Sequence, residues 1–172
     1  MITTAELHRL AETQELRFDQ AEKDYVIVWV LFALSKREDV PANWALKGGT
    51  CLRHCYYPGY RFSEDIDFSC KPSPSNISKA QALLDEVARD VGNESGIRLR
   101  VKEPQDTGNE AQVEIGLEYT RGGPRRQHLP AVKVHLTFDE PVLVQPERKP
   151  VHPFYPDVSP FTVTSYAKIE IV

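Results

Sequence analysis

Two short stretches of this sequence combine residue types and spacing that can do chemistry, Asp65-Ile66-Asp67 and Gly48-Gly49-Thr50. Residues two apart on a strand point to one face. The Asp65 and Asp67 carboxylates would then stand side by side, with Cα atoms roughly 6–7 Å apart, while Ile66 turns to the core. Such a pair suits two Mg²⁺ ions, hard cations usually held by one or two carboxylates plus substrate phosphates. Two metals about 3.5–4 Å apart stabilise the attacking and leaving oxygens of a phosphoryl displacement. In Gly48-Gly49-Thr50, glycine backbone can approach a phosphate closely, with amides and the Thr50 hydroxyl facing it. Arg61 and Ser63 lie just before the carboxylates. Arg61 either neutralises a phosphate with its fork of donors or forms a surface ion pair with Glu64 or Asp65. Ser63 shares a face with Asp65 and either bonds a phosphate or only ends a turn.

Each stretch also has a plain structural reading, a solvated acidic strand in one case and a simple turn in the other. Their order along the chain favours the chemical one: Asn43 to Lys47 reads as a strand running into the glycine turn, and Thr50 as the cap of a helix from Cys51 to about Tyr57 that Pro58-Gly59 ends. A second strand spans residues 64–69. Upstream, Thr4 can cap a helix from about Ala5, and Asp19 precedes another on which Tyr25, Val28, Trp29, Phe32 and Ala33 recur at helical spacing as a core stripe. Downstream, a turn-rich loop at 71–76 leads to an amphipathic helix from Ile77 to Val91, stopped by Gly92. Alternating segments at 97–101, 113–117 and 132–138 read as half-buried strands. Six prolines between Pro141 and Pro160 predict extended chain wrapping the surface. The order ααβαβαβββ implies an α+β domain with a mixed β-sheet and helices packed mainly on one face. One domain over 1–172 is expected, with opening helices at 5–37, a core at 42–140 and a proline-rich extended segment at 141–164.

Lys47-Gly48-Gly49-Thr50-x-Leu52 with Tyr56 or Tyr57, then Arg61-Phe62-Ser63-Glu64-Asp65-Ile66-Asp67-Phe68, resembles the AbiEii/AbiGii toxin family of nucleotidyltransferases. The core of that family is similar to the DNA polymerase β nucleotidyltransferase fold. The resemblance implies an enzyme that transfers an NMP from an NTP to an acceptor, some relatives modifying tRNA ends. It implies the toxin side of a bacterial toxin–antitoxin or phage-defence pair, with a cognate antitoxin as partner. By position, Gly49 and Thr50 would hold the triphosphate and Asp65 and Asp67 the metals; Lys47, Gly48 and Arg61 are expected to join the nucleotide site and Ser63 the catalytic set. The fold usually carries a third carboxylate on a later strand, where this chain offers Lys133, His135, Thr137 and Asp139. His135 could ligate a metal through a neutral ring nitrogen, and Asp139 could do so if the strand end bends inward. Family members also continue beyond a segment like residues 165–172 into a helical domain with a further Lys and Asp, so a truncated form or fragment is expected. A catalytically inactive remnant that binds nucleotide or antitoxin is the alternative.

The 172 residues carry a net charge of −4, with 41% hydrophobic and 27% charged residues. That balance fits a globular protein and excludes one that coats nucleic acid through a strongly basic face. The longest apolar run, residues 25–34, is too short for a bilayer span of roughly 20 residues. With no export signal at the N-terminus, the cytoplasm and reduced Cys51, Cys55 and Cys70 are expected, and no membrane partner. Cys51, His54, Cys55 and Cys70 lack the paired spacing of a zinc site and read as packing residues. Residues 121–128 form a basic loop that, with Lys133, either guides an RNA backbone or is merely solvated.

Overall fold

The computed structural model describes residues 1–38, 40, 44–70, 77–107, 111–122 and 128–171. Helix α1 (Thr4–Thr13) is capped by Thr3, whose hydroxyl accepts from the Glu6 amide while the Glu6 carboxylate reaches back to the Thr3 amide. The cap is therefore one residue earlier than the sequence suggests. Asp19 lies inside the first turn of α2 (Phe18–Ser35) instead of preceding it. Strand β1 (Trp44–Lys47) passes directly into α3 (Gly48–Cys51), which widens into a π-helical turn over Leu52–Tyr56. The helix starts at Gly48, so Thr50 sits in its first turn and is not its cap.

Strand β2 (Asp65–Cys70) follows, then α4 (Ile77–Ser95). The turn-rich loop at 71–76 lies outside the described residues. Gly92 does not stop α4, because its backbone stays helical. The helix ends at Gly96, which takes a φ of 77° that a side chain would resist. Strands β3 (Arg98–Val101), β4 (Gln105–Asp106), β5 (Gln112–Thr120) and β6 (Ala131–Thr137) complete the expected alternating set, β4 being an addition to it.

The proline-rich segment departs furthest from expectation. It contributes two sheet strands, β7 (Glu147–Val151) and β8 (Phe161–Ser165), followed by the short helix α5 (Lys168–Ile171). Pro150 is tolerated because β7 is an edge strand, where a missing ladder donor can face solvent. The mixed sheet has the order β3-β5-β6-β2-β1-β8-β7, with β4 also on β5. Strands β2 and β6 run parallel, as do β1 and β8; β1 and β2, and β5 and β6, are antiparallel.

Alternation divides the sheet into two unlike faces. Ile66 and Phe68 on β2, Val132, Val134 and Leu136 on β6, and Val113, Ile115 and Leu117 on β5 are buried. They share one hydrophobic cluster with Tyr25, Val28 and Leu31 of α2 and Leu84, Val87 and Val91 of α4. The other phase of the same strands carries Asp65, Asp67, Lys133, His135, Glu114 and Glu118, all partly exposed or exposed. The apolar face thus fixes which residues the open face presents. Among the described residues, no helix is long and apolar enough to cross a membrane.

Candidate active site

Strand register builds a row across the open face. Lys47 on β1 stands opposite Asp67 on β2, Asp67 opposite His135 on β6, and His135 opposite Glu114 on β5. One step along, Asp65 faces Lys133, which faces Gly116. Directly opposed side chains on neighbouring strands have Cβ atoms about 4.5–5.5 Å apart, close enough to bond.

His135 bridges two carboxylates, with Nδ1 at 3.0 Å from Asp67 Oδ1 and Nε2 at 3.0 Å from Glu114 Oε2. Burial alone would lower its pKa, but the bonds to Glu114 and Asp67 outweigh it and raise the imidazole above its ordinary value. Both ring nitrogens are thus engaged by carboxylates of neighbouring strands. Burial likewise pushes Glu114 up, and the bonds from His135 and Lys133 bring it below the usual carboxylate range. The Lys133 Nζ lies 3.1 Å from Glu114 Oε2. Asp65 is raised, chiefly by burial and further by Asp67, against opposing attraction from His135, Lys133 and Lys23.

Asp139 does not join the cluster: it is exposed beyond the end of β6. The acid that does turn inward there is Glu140, which forms an ion pair with Lys47, while Lys47 Nζ also donates to Thr137 Oγ1 at 3.2 Å. Lys47 is thus at the site, and its ammonium is held by protein partners.

The glycine turn packs directly on the carboxylates. Gly48 has a φ of 68°, and a Cβ added there would lie 2.5 Å from Asp67 Oδ2. A Cβ on Gly49 would lie 2.9 Å from Ser63 Oγ and 3.8 Å from Arg61 Nη2. A side chain at either position would push on those groups, and at Gly48 the backbone also takes a conformation that favours glycine. The Thr50 hydroxyl is buried and donates to the Asp65 carbonyl. It therefore ties the turn to β2. Arg61 is exposed, and no carboxylate pairs with it among the described residues; Glu64 is taken by Lys23 at 2.5 Å.

A buried network holds the loop that carries Arg61 and Ser63. Arg53 and Asp24, with side chains 2% and 1% exposed, pair at 3.0 Å. His54 Nε2 lies 3.2 Å from the same Asp24 oxygen, and the Tyr155 hydroxyl donates to the other at 2.6 Å. The remaining Arg53 donors reach Gln14 Oε1 at 2.7 Å and the Tyr60 carbonyl. One guanidinium thereby joins α1, α2 and the loop before β2.

Glu114, Glu140 and the Arg53–Asp24 pair escaped the reading of the sequence. Glu114 had a signal, since its position in Val113-Glu114-Ile115 puts it on the polar phase of a strand, but only the register shows it beside His135. The basic loop is also changed. The Arg121 side chain is buried, donates to the Ile2 carbonyl at 2.8 Å and lies 4.9 Å over the Tyr25 ring. It is no part of a basic surface, Lys133 is paired with Glu114, and residues 123–127 lie outside the described residues. The three cysteines are free, with Cys51 and Cys70 buried. Among the described residues, no group of three or more His, Cys, Asp or Glu side chains gathers as a metal site. Of the residues expected to hold a metal, Asp65 and Asp67 share one face of β2, His135 bonds Asp67, and Asp139 lies beyond the end of β6. A separate cavity of about 620 Å³, bordered by Leu34, Trp44, Phe68 and Arg148, includes neither aspartate.

Residues 29–172 match the family described as nucleotidyl transferase AbiEii toxin, type IV toxin–antitoxin system. The chain belongs to the AbiEii family. No curated protein matches it in sequence. The fold is that of solved nucleotidyltransferase structures. The nucleotidyltransferase toxin MenT4 from Mycobacterium tuberculosis H37Rv superposes with a TM-score of 0.67 at 23% identity, over 99% of this chain and 56% of that one. A putative nucleotidyltransferase from Helicobacter pylori gives 0.57 at 19% identity, over 91% of this chain and 57% of that one. JHP933 from Helicobacter pylori gives 0.56 at 18%, over 89% and 54%. This AbiEii chain thus spans 54–57% of the length of those three structures.

Proposed function

We propose that this AbiEii chain carries the nucleotide- and metal-binding part of a nucleotidyltransferase that moves an NMP from an NTP to an acceptor. The observation that carries the reading is the close approach of the Gly48-Gly49 turn to Asp67 and Ser63, which sets side-chain-free backbone beside the strand that carries Asp65 and Asp67. The turn's amides and Arg61 would hold the triphosphate. Asp65 and Asp67 fit Mg²⁺, since both are oxygen donors on one partly exposed face, and two carboxylates are what this cation usually takes from protein. Bound there, two such ions would neutralise charge on the attacking and leaving oxygens. His135 and Glu114 would keep the Asp67 carboxylate in one orientation. An acceptor hydroxyl attacks the α-phosphorus, the bond from that phosphorus to the β-bridging oxygen breaks, and pyrophosphate leaves as the hydroxyl proton is lost.

In the family setting this is the toxin of a toxin–antitoxin or phage-defence pair, acting in the cytoplasm on RNA, tRNA included, or on protein, and restrained by a cognate antitoxin. One observation favours an inactive, nucleotide-binding form instead. Where the fold usually places a third carboxylate, this chain has His135 with both nitrogens engaged. Incubation with Mg²⁺, each α-labelled NTP and total bacterial RNA separates the two readings, with Asp65→Ala and Asp67→Ala alongside. Label incorporated by the wild-type protein alone is expected. Equal incorporation by all three proteins, or by none, would overturn the enzymatic reading.

A further inference from the structure

Beside the glycine turn the surface carries an unusual pair of residues. Among the described residues, the large hydrophobic side chains that stand exposed include only two aromatics, Tyr57 at 39% and Tyr60 at 36%. They lie together, ring centroids 6.2 Å apart and planes tilted by 34°. A cation attends each ring, Lys168 Nζ at 4.6 Å from the centroid of Tyr57 and Arg61 Cζ at 5.9 Å from that of Tyr60. Arg61 also reaches back to the turn, its Nη2 only 3.8 Å from where a Gly49 Cβ would stand. One side chain therefore links the rings to the phosphate surface.

We propose that Tyr57 and Tyr60 form a stacking platform for a nucleobase, next to the surface that holds the triphosphate. The inference rests on the nucleotidyltransferase reading and adds to it the place where a base is held. Any base offers a π-face, so stacking on aromatic side chains holds bases with little regard to sequence. The two flanking cations favour an anionic aromatic ligand over a neutral one. The platform is also set in advance. The Tyr57 amide donates to the Leu52 carbonyl at 2.8 Å, the Tyr60 amide to the Tyr57 carbonyl at 2.9 Å, and buried Arg53 holds the Tyr60 carbonyl. Little ordering is left to be done when a ligand arrives. The base belongs either to the incoming NTP or to the acceptor end, which share the same chemistry.

Binding to the whole chain in Mg²⁺ distinguishes these sources. The ligands are the four NTPs, inorganic tripolyphosphate and a short single-stranded oligonucleotide without a 5′-phosphate. The proteins are wild type, the Tyr57→Ala/Tyr60→Ala double variant and the matching Phe double variant. The Ala variant should weaken NTP or oligonucleotide binding by about tenfold or more. The Phe variant should bind as wild type does, and tripolyphosphate should be unaffected throughout. Loss for NTP alone assigns the platform to the incoming base, and loss for the oligonucleotide alone assigns it to the acceptor. Unchanged binding of both ligands, or equal losses for NTP and tripolyphosphate, overturns the platform and leaves the nucleotidyltransferase reading intact. A wild-type protein that binds neither NTP nor tripolyphosphate overturns both.

Discussion

Replacing Gly48 by Ala tests whether the glycine turn and Asp67 work as one unit. The substitution has two separable costs. The first is backbone strain: at a φ of 68° a Cβ costs roughly 1–2 kcal/mol. In a domain of this size that lowers Tm by about 2–8 °C. Gly96→Ala is the control, because its φ is 77° and its Cβ would meet nothing nearer than Met1 Cε at 3.9 Å. The second cost falls on the site. The new Cβ would stand 2.5 Å from Asp67 Oδ2, where ordinary contact begins at 3.4 Å, so the carboxylate must retreat by about 1 Å. The atom in the way is the end of a side chain, so the retreat costs little stability. It pulls Asp67 from its 3.0 Å bond to His135 and out of register with Asp65. A displacement of that size can slow chemistry by about a hundredfold. Gly48→Ala should therefore melt close to Gly96→Ala, while label transfer from NTP falls about a hundredfold in Gly48→Ala only. Activity within threefold of wild type, with the same melting behaviour, would refute the coupling.

Three more outcomes follow from the geometry. Burial would raise the Asp24 carboxyl, but His54, Arg53 and Tyr155 outweigh it and hold the group below its ordinary value. Its stabilisation is thus complete above the unfolded value of about 3.9 and disappears as pH falls through the lower folded value. The gap in urea midpoint between wild type and Asp24→Asn should be full near pH 7 and close at strongly acid pH; a gap that does not change with pH would contradict this. Arg53→Ala removes the guanidinium from buried Asp24, leaving it His54 and the Tyr155 hydroxyl, and should cost about 3 kcal/mol. Arg53→Lys should cost less yet speed amide exchange over residues 57–64, because an ammonium lacks the fork that reaches the Tyr60 carbonyl. Asp65→Asn should abolish label transfer while leaving Tm unchanged or raising it, since it removes one of two like charges from a partly buried face; a clear fall in Tm would show that Asp65 serves the fold.

The sequence made the strand phases legible and the strand neighbours illegible. Ile66 between two aspartates announces which side of β2 is wet, because one apolar face must be buried. Nothing local says that β6 will lie parallel to β2 with His135 opposite Asp67, since that pairing depends on closing a long chain segment. Glu114 could be placed on the polar phase of its strand but not beside His135, for the same reason. Proline content misled in the other direction. A proline excludes a central strand but not an edge, and β7 keeps Pro150 on the rim while Val151 is fully buried beneath it. Gly92 and Gly96 look alike in sequence, and only the second occupies a conformation that needs glycine.

The charges on the open face decide whether a nucleotide can bind there unaided. Lys47, Lys133 and His135 face Asp65, Asp67, Glu114 and Glu140, so even with His135 charged the cluster is negative by one, and exposed Arg61 only offsets that. Lys47 and Lys133 are already committed to Glu140 and Glu114. A polyanionic triphosphate would meet no net attraction and would bring its own charge against Asp65 and Asp67. Divalent cations remove both obstacles, as they are drawn to the aspartates and to phosphate oxygens alike. NTP binding should therefore be lost on chelation with EDTA and restored by Mg²⁺. Asp65→Asn/Asp67→Asn should reduce that dependence, because removing two negative charges leaves a site that attracts a triphosphate directly. Equal NTP affinity with EDTA and with Mg²⁺ in the wild-type protein would mean that the glycine turn and Arg61 suffice, and the carboxylate pair would then lose its assignment as the metal seat.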